Sequence, residues 1–428
     1  MASPVTIDPN RPPVRVAIPI YMIPWSDSPS HGIGRYIFEI ARGLDEYGPE
    51  LGISAEIYQD AYAPRGPFAS LPGHTFPSIR EHLGVSQVTV EESAKEHFAR
   101  GFSRSSEALP SLLDHVVMYG RDVLRRRVLT RTSPDLIHYP IQLGRPPAPR
   151  GIPLVVTVHD LVPSLFPETA RADVLQGWRH FVRHIGRITI FITPSQSAAG
   201  DLAKTLEVPE DLIRVIPNGV APMYRPSPTP EKDLSYLVKR YGIRSPFIVH
   251  VGTIEPRKDL PTAIRALKYL PENISLALAG GPGWKSDNLD KVIAEVGVEG
   301  RVQRIGFVDD ADLPSLYSAA KAAVFPSLYE GFGFPALEAM ACGVPVVSTP
   351  AGSLEEVLGD TGIYFEARSP EELAKGIRRI LEDPEWAADL ALRARRRASE
   401  FSWRRAVFQT AHVYHEALAS HARAGGRG

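Results

Sequence analysis

Between residues 247 and 365 short apolar runs recur, and each is followed by a stretch whose apolar positions return every three or four residues. The runs at 247–252, 274–279, 302–306, 322–325, 344–348 and 362–365 predict strands covered on both faces. The stretches at 260–270, 286–296, 311–320, 335–342 and 370–382 predict helices, and 384–400 and 403–420 carry the helical period toward the C terminus. Such alternation with short connections makes a parallel, doubly wound sheet. The first half is less regular. A strand is predicted at 14–20, and Ile37, Ile40, Ala41 and Leu44 then recur at helical spacing. DLIHYP (135–140) and PLVVTVHDLVP (153–163) read as two more strands. ITIFITPSQSAAGDLAKTL reads as strand, Ser195 as helix cap, and helix. Residues 60–110 have no clear period apart from a helical stretch at 91–100, whereas 109–131 predicts a long helix. MYRPSPTP (223–230) places Pro226, Pro228 and Pro230 among poor helix formers and predicts a linker. The expected class is α/β with two domains, residues 1–222 and 223–402.

Composition narrows the function classes. A chain of 428 residues exceeds one ordinary core, and 43% apolar with 23% charged residues is the balance of a soluble globular protein. The net charge of −1 supplies no field for nucleic acid, so no nucleic-acid partner is expected. Cys342 is the one cysteine, which excludes a disulfide framework, fits a reducing compartment and suits a small buried side chain. Residues 1–13 lack the apolar centre of a signal peptide, and no run reaches membrane-spanning length, so a cytoplasmic location is expected. Arg121, Arg125, Arg126, Arg127 and Arg131 suit either a solvated helix face or peripheral contact with anionic lipid on the inner face of a membrane. The tail after Leu418 has little to bury and is expected to fray.

The chemistry concentrates at 325–349, FPSLYEGFGFPALEAMACGVPVVST. Pro335 suits a first helical turn and Gly343 the position past the end, so an uncapped helix start lies beside Gly331 and Gly333. Glu338 falls in that first turn, where an acid also complements the helix dipole, and Glu330 stands in the loop before it. Carboxylates accept from sugar hydroxyls while main-chain amides take phosphate oxygens, and a nucleotide sugar offers both. In HVGTIEPRKDL, Arg257 and Lys258 stand in the loop after a predicted strand, a bidentate grip and a point charge for a diphosphate. His159 ends a strand at the edge where open α/β sheets bind ligands. Gly32 and Gly34 precede a helix, as a phosphate-facing loop or a plain tight turn; Arg35 could add charge there, though a solvated position on the helix face is the preferred reading. Gly280, Gly281 and Gly283 form a similar turn. Asp310 and Asp312 have the spelling of a metal-binding pair but open a helix, and no metal is assigned.

The block EGFGFPALEAMACGVPVV closely resembles the Glu-(seven residues)-Glu signature of family 4 retaining glycosyltransferases. That resemblance implies the GT-B fold, two doubly wound Rossmann-like parallel-sheet domains facing a central cleft, with the terminal helix at 403–420 crossing back onto the first domain. It implies that Glu338 binds the nucleotide ribose. Glu330 would face the transferred sugar, with Phe332, Gly333 and Phe334 supplying amides to its hydroxyls. Gly34 and Gly252 would belong to the donor-side loops, Val308 and Phe307 would meet the base through their backbone, and His159 would contact the sugar. RVIPNGV (214–220) resembles the family's segment at the cleft. The family often has Gly-Arg with a Lys five positions after the Arg; here Thr253 takes the Arg place and Lys258 is kept. Arg257 directly before it resembles the GTIEPRK variant of mannosyltransferase-like members. The implied activity is retaining, metal-independent transfer of a hexose without a cofactor, the preferred donor being GDP-mannose and the acceptor a glycan, a lipid-linked sugar or a small molecule. Rival expectations are an epimerase of UDP-N-acetylglucosamine or a sugar phosphorylase on the same scaffold, and a non-catalytic nucleotide-sugar-binding partner.

Overall fold

The computed structural model describes residues 12–19, 32–59, 88–90, 133–144, 146, 149, 151–283 and 289–425. The helices expected at 91–100 and 109–131, with the arginines of the latter, lie outside these residues. The described chain forms two sheets, each the centre of one lobe. In the first, β1 (Val14–Pro19), β2 (Ile53–Gln59), β3 (Val88–Val90), β4 (Leu136–Tyr139), β5 (Leu154–Thr157), β6 (Ile190–Thr193) and β7 (Ile213–Val215) lie in the order β3-β2-β1-β4-β5-β6-β7. In the second, β8 (Phe247–Val251), β9 (Ser275–Ala279), β10 (Val302–Gly306), β11 (Ala323–Phe325), β12 (Val346–Ser348) and β13 (Gly362–Tyr364) lie in the order β10-β9-β8-β11-β12-β13. Every pairing is parallel. Each order reverses once, between β1 and β4 and between β8 and β11, and the loops leaving the carboxyl ends of strands at such a point form a crevice.

The strands of the second sheet sit within two residues of their predicted bounds, because buried parallel strands are written as continuous apolar runs. Burial of β9 is complete from Ser275 to Ala279, and helices cover both of its faces. Several elements escaped prediction, among them β2, β3 and the helix Pro230–Tyr241. β2 has a period-two signal in Ile53, Ala55 and Ile57, and β3 is short. The helix Pro230–Tyr241 opens on a proline and ends before Gly242, a capping pattern hidden by the proline cluster that precedes it.

The last helix runs Trp403–Gly425, beyond the expected fraying point at Leu418. Its length is explained by what it covers. Trp403, Val407 and Tyr414 enter one core with Val16 of β1 and with Ile37, Ile40 and Leu44 of the helix Gly32–Tyr47. Burying each large apolar side chain stabilises by about 1.5–3 kcal/mol. His138 is held in the same core between the Tyr414 hydroxyl at 2.7 Å and Thr157 Oγ1 at 2.8 Å. Among the described residues no helix is long and apolar enough to cross a membrane.

Candidate active site between the lobes

A cavity of about 260 Å³ opens between the carboxyl ends of the two sheets, and both lobes line it. The lobes touch at the loop after β11. Gly331 lies so near the His159 carbonyl that an added Cβ would meet its oxygen at 2.2 Å. Ser195 Oγ donates to the Gly331 carbonyl at 2.9 Å, and the Tyr329 hydroxyl donates to Asp201 at 2.7 Å. The helix Phe334–Ala341 then begins at Gly333, whose φ of 88° belongs to the left-handed region and whose position carries no side-chain cap. Pro335 occupies the first turn, so the helix start faces the cavity as backbone alone.

Glu330 is buried at 8% exposure and fully engaged. It accepts from Lys258 Nζ at 2.6 Å, from Ser327 Oγ at 2.7 Å and from Arg257 Nη1 at 3.1 Å. Burial pushes its pKa up, but Lys258 and Arg257 outweigh burial and hold it at about 2. Arg257 also donates to the Tyr329 carbonyl and pairs with Glu255, and these acids hold the guanidinium charged against the cost of burial. A 3₁₀ turn, Pro256–Lys258, sets both cations on the side of the loop that meets Glu330. Beneath them lies His250. Burial lowers it to about 4, its Nδ1–H donates to the Val324 carbonyl at 3.0 Å, and its Nε2 has no partner among the described residues.

Glu338 is buried at 4% exposure, and its counter-ion comes from the opposite lobe. Arg35 Nη1 is ion-paired with Glu338 Oε1, while the Tyr317 hydroxyl donates to Oε2 at 3.3 Å. Arg35 Nη2 donates to the Tyr224 hydroxyl at 3.0 Å and lies 3.9 Å from Asp310 Oδ1. Burial first, with Arg35 opposing it, pushes Tyr224 up to about 12, so the phenol stays neutral and accepts that bond. Arg35 is 7% exposed, which corrects its reading as a solvated position. The helix begins at Gly32, so the guanidinium points across the cleft.

His159 is neutral at ordinary pH, because burial lowers it to about 4. Its Nε2–H donates to the Pro140 carbonyl at 2.8 Å, which leaves Nδ1 as the acceptor, and Tyr36 meets its ring edge-on at 4.8 Å. Asp160 beside it is spent partly on Val162 N at 3.1 Å.

Two family profiles match the two lobes, "Glycosyltransferase Family 4" over residues 30–223 and "Glycosyl transferases group 1" over residues 239–397. The MMP alpha-(1->4)-mannosyltransferase of Mycolicibacterium hassiacum is 32% identical over 421 residues, 91% of this chain and 95% of that protein. The chain belongs to glycosyltransferase family 4. The O-antigen chain mannosyltransferase B of Escherichia coli is similarly 32% identical, over 61% of this chain and 69% of that one. Among solved structures, HepE from Anabaena in complex with UDP and glucose superposes with a TM-score of 0.67 at 22% identity, covering 94% of this chain and 99% of that chain. Sucrose-phosphate synthase from Thermosynechococcus elongatus gives a TM-score of 0.70 at 20% identity, covering 95% of this chain and 100% of that one. The fold is GT-B.

In this family 4 glycosyltransferase, His159, Gly252, Arg257, Lys258 and Val308 line the cavity together with Glu330, Phe332, Gly333, Phe334 and Glu338. Gly34 does not; Gly32 and Ile33 take the wall there, and Gly34 lies within the first turn of the helix rather than in a loop before it. Asp312, of the pair with metal-like spelling, accepts from the Tyr241 hydroxyl at 2.6 Å and pairs with Arg240 at 3.3 Å. Cys342 is buried and unpaired, and burial pushes its thiol up to about 12. Sequence reasoning missed Arg35, Tyr224 and Asn218. Asn218 lines the cavity at 1% exposure, and neither atom of its amide has a partner among the described residues. Its signal was present, since it is the uncharged polar residue of RVIPNGV.

Proposed function

We propose that this family 4 enzyme transfers mannose from GDP-mannose to a glycan, lipid-linked or small-molecule acceptor, with retention at the anomeric carbon and without a metal ion. The reading rests on one meeting of groups: Lys258, Arg257, Glu330 and the bare helix start at Gly333 share a single cavity between the lobes. Support for the sugar comes from the two mannosyltransferase relatives and from the GTIEPRK spelling.

A diphosphate leaves without a proton, so the site must supply positive charge where the phosphate oxygens gain electrons. Lys258 and Arg257 provide it. In the empty site Glu330 is their counter-ion; with donor bound, the diphosphate shares both cations and Glu330 turns an oxygen to a sugar hydroxyl. The bond from C1 to the phosphate oxygen breaks with its electron pair going to that oxygen. The acceptor oxygen forms the new bond on the same face, and its proton passes to the departing phosphate. The amides of Phe332, Gly333 and Phe334 hold sugar hydroxyls, and His159, kept neutral, accepts from one through Nδ1. Glu338 accepts from the ribose diol. Gly252 and Val308 shape the walls beside the diphosphate and the base. The arginines of the stretch 121–131 would bring the enzyme to the inner surface of a membrane if the acceptor is lipid-linked.

The test is a thermal-shift panel of GDP, UDP, ADP and dTDP, followed by turnover of GDP-mannose and UDP-glucose with the product anomer read by NMR. GDP should raise the melting temperature most, and turnover should survive EDTA. No shift with any nucleotide would sink the reading. A larger shift with UDP would remove the donor assignment, and strict dependence on added Mn²⁺ or Mg²⁺ would remove the metal-free step.

A further inference from the structure

The helix Gln196–Leu206 of the first lobe is capped by two lobes at once. Its own Ser195 Oγ accepts from Ala198 N at 3.1 Å. The two amides before that one donate across the cleft, to the carboxylate of Glu356. Gln196 N reaches Oε2 at 2.9 Å as well as Oε1, and Ser197 N reaches Oε2 at 3.3 Å. An acid there also meets the positive end of the helix dipole. We infer that Glu356 is a positioning residue for transfer: it latches the second lobe onto this helix and so holds the loop of Glu330 opposite His159.

Three observations carry the latch. First, Glu356 moves with Glu330. It lies on the short helix Leu354–Leu358, and the residue before that helix, Ser353, donates to the Glu330 carbonyl through N at 3.0 Å and Oγ at 3.1 Å. Second, the residues on either side of Glu330 dock on the same first-lobe helix or its cap. Ser195 Oγ donates to the Gly331 carbonyl at 2.9 Å, and the Tyr329 hydroxyl donates to Asp201 at 2.7 Å. Third, Gln196 is exposed and Glu356 half-buried, so water can take over both partners when the lobes part. No buried charge is stranded by opening, and the contact biases closure without locking it. The ion pairs of Glu330 with Lys258 and Arg257 lie within the second lobe and do not need the latch. The placing of Glu330 and the start of the helix Phe334–Ala341 against His159 does.

This inference rests on the site proposed between the lobes, and the experiment separates the two. Turnover is measured with GDP-mannose, or with UDP-glucose if the native enzyme uses that instead, beside calorimetric affinity for the matching nucleoside diphosphate, melting curves and small-angle scattering. The variants are Glu356→Gln, Glu356→Lys and Gln196→Pro. Gln196→Pro removes the donating N–H at the first helical position, which suits proline, and Ser195 before it is already extended at φ −151° and ψ 157°. Glu356→Gln should lower kcat/KM about tenfold, and Glu356→Lys, which sets a cation against the helix start, about a hundredfold. Both should give a wider molecule, while nucleotide affinity stays within about twofold because Lys258 and Arg257 remain in place. Added to Gln196→Pro, Glu356→Gln should cost less than about threefold further, since the two act through one contact. A general folding defect would instead lower the melting temperature and add in full. Native kcat/KM in both Glu356 variants, or full additivity with Gln196→Pro, overturns the latch. If the native enzyme turns over neither sugar nucleotide, the proposed function falls, and scattering alone decides the latch: unchanged dimensions in Glu356→Lys sink it.

Discussion

Glu330 and Glu338 are separated by seven residues, both are buried, and both are ion-paired, yet they are held in opposite ways. The partners of Glu330, namely Lys258, Arg257 and Ser327, all come from its own lobe. That end of the cavity is assembled whether or not the lobes meet. Glu338 takes its cation from the first lobe, so its pairing exists only while the cleft is closed. A fixed electrostatic centre beside a closure-dependent one is a sensible division of labour for a transferase. In the proposed transfer, the charge that stabilises the departing diphosphate must be in place before reaction. The grip proposed for Glu338 on the nucleotide must loosen for product to leave.

Breaking the fixed end should have the largest effect. Lys258→Ala removes a cation from the proposed leaving group and strands Glu330, so turnover should fall by about 10³-fold. Initial rates with saturating donor, alongside a melting curve, measure it; near-native turnover would contradict the assignment. Interfering with closure comes next. Gly331→Ala places a Cβ against the His159 carbonyl, which should hold the lobes apart and lower kcat/KM by about 10²-fold. The melting temperature should change little, and small-angle scattering should report a wider molecule. Glu338→Ala removes the carboxylate proposed to hold the ribose and leaves buried Arg35 without that counter-ion: nucleotide affinity should drop by about tenfold to a hundredfold, with a smaller change in kcat, and a melting curve reads the loss of the pair separately. Affinity equal to that of the native enzyme would remove Glu338 from the donor.

The smallest effect lies in the acid range. Glu330 titrates at about 2 in the folded chain against an ordinary 4.5. A lowered carboxylate stabilises the fold above its ordinary value, and that contribution is lost as the pH falls from about 4.5 toward 2. Glu330→Gln should flatten the fall in melting temperature across that window. An unchanged slope would mean that Glu330 is not held low by its two cations.

What could be read from residues alone follows from range. The second sheet was legible because its strands are buried runs and its helices carry caps such as Pro335 and Pro370, all of which are local. The Glu330 and Lys258 ends of the site were legible for the same reason: each stands in the loop that leaves the carboxyl end of a strand, and such loops in this topology face the crevice. Arg35 was not. Its acceptor lies 303 residues away, and a lone arginine near a helix start looks the same whether it meets solvent or another lobe. Tyr224 stands among linker prolines, where no period marks a buried ring, yet it is 4% exposed. Two strands of the first sheet lacked the length that would have marked them, or the contrast with neighbours.

Because the last helix returns to the first lobe, the backbone passes from one lobe to the other twice, once after β7 and again just before Trp403. These passages run side by side, and Val220 N donates to the Phe401 carbonyl at 3.1 Å. Two adjoining threads tied together act as one pivot. The lobes are held closest along that line, so a swing about it would open the cleft most at the rim farthest from Val220.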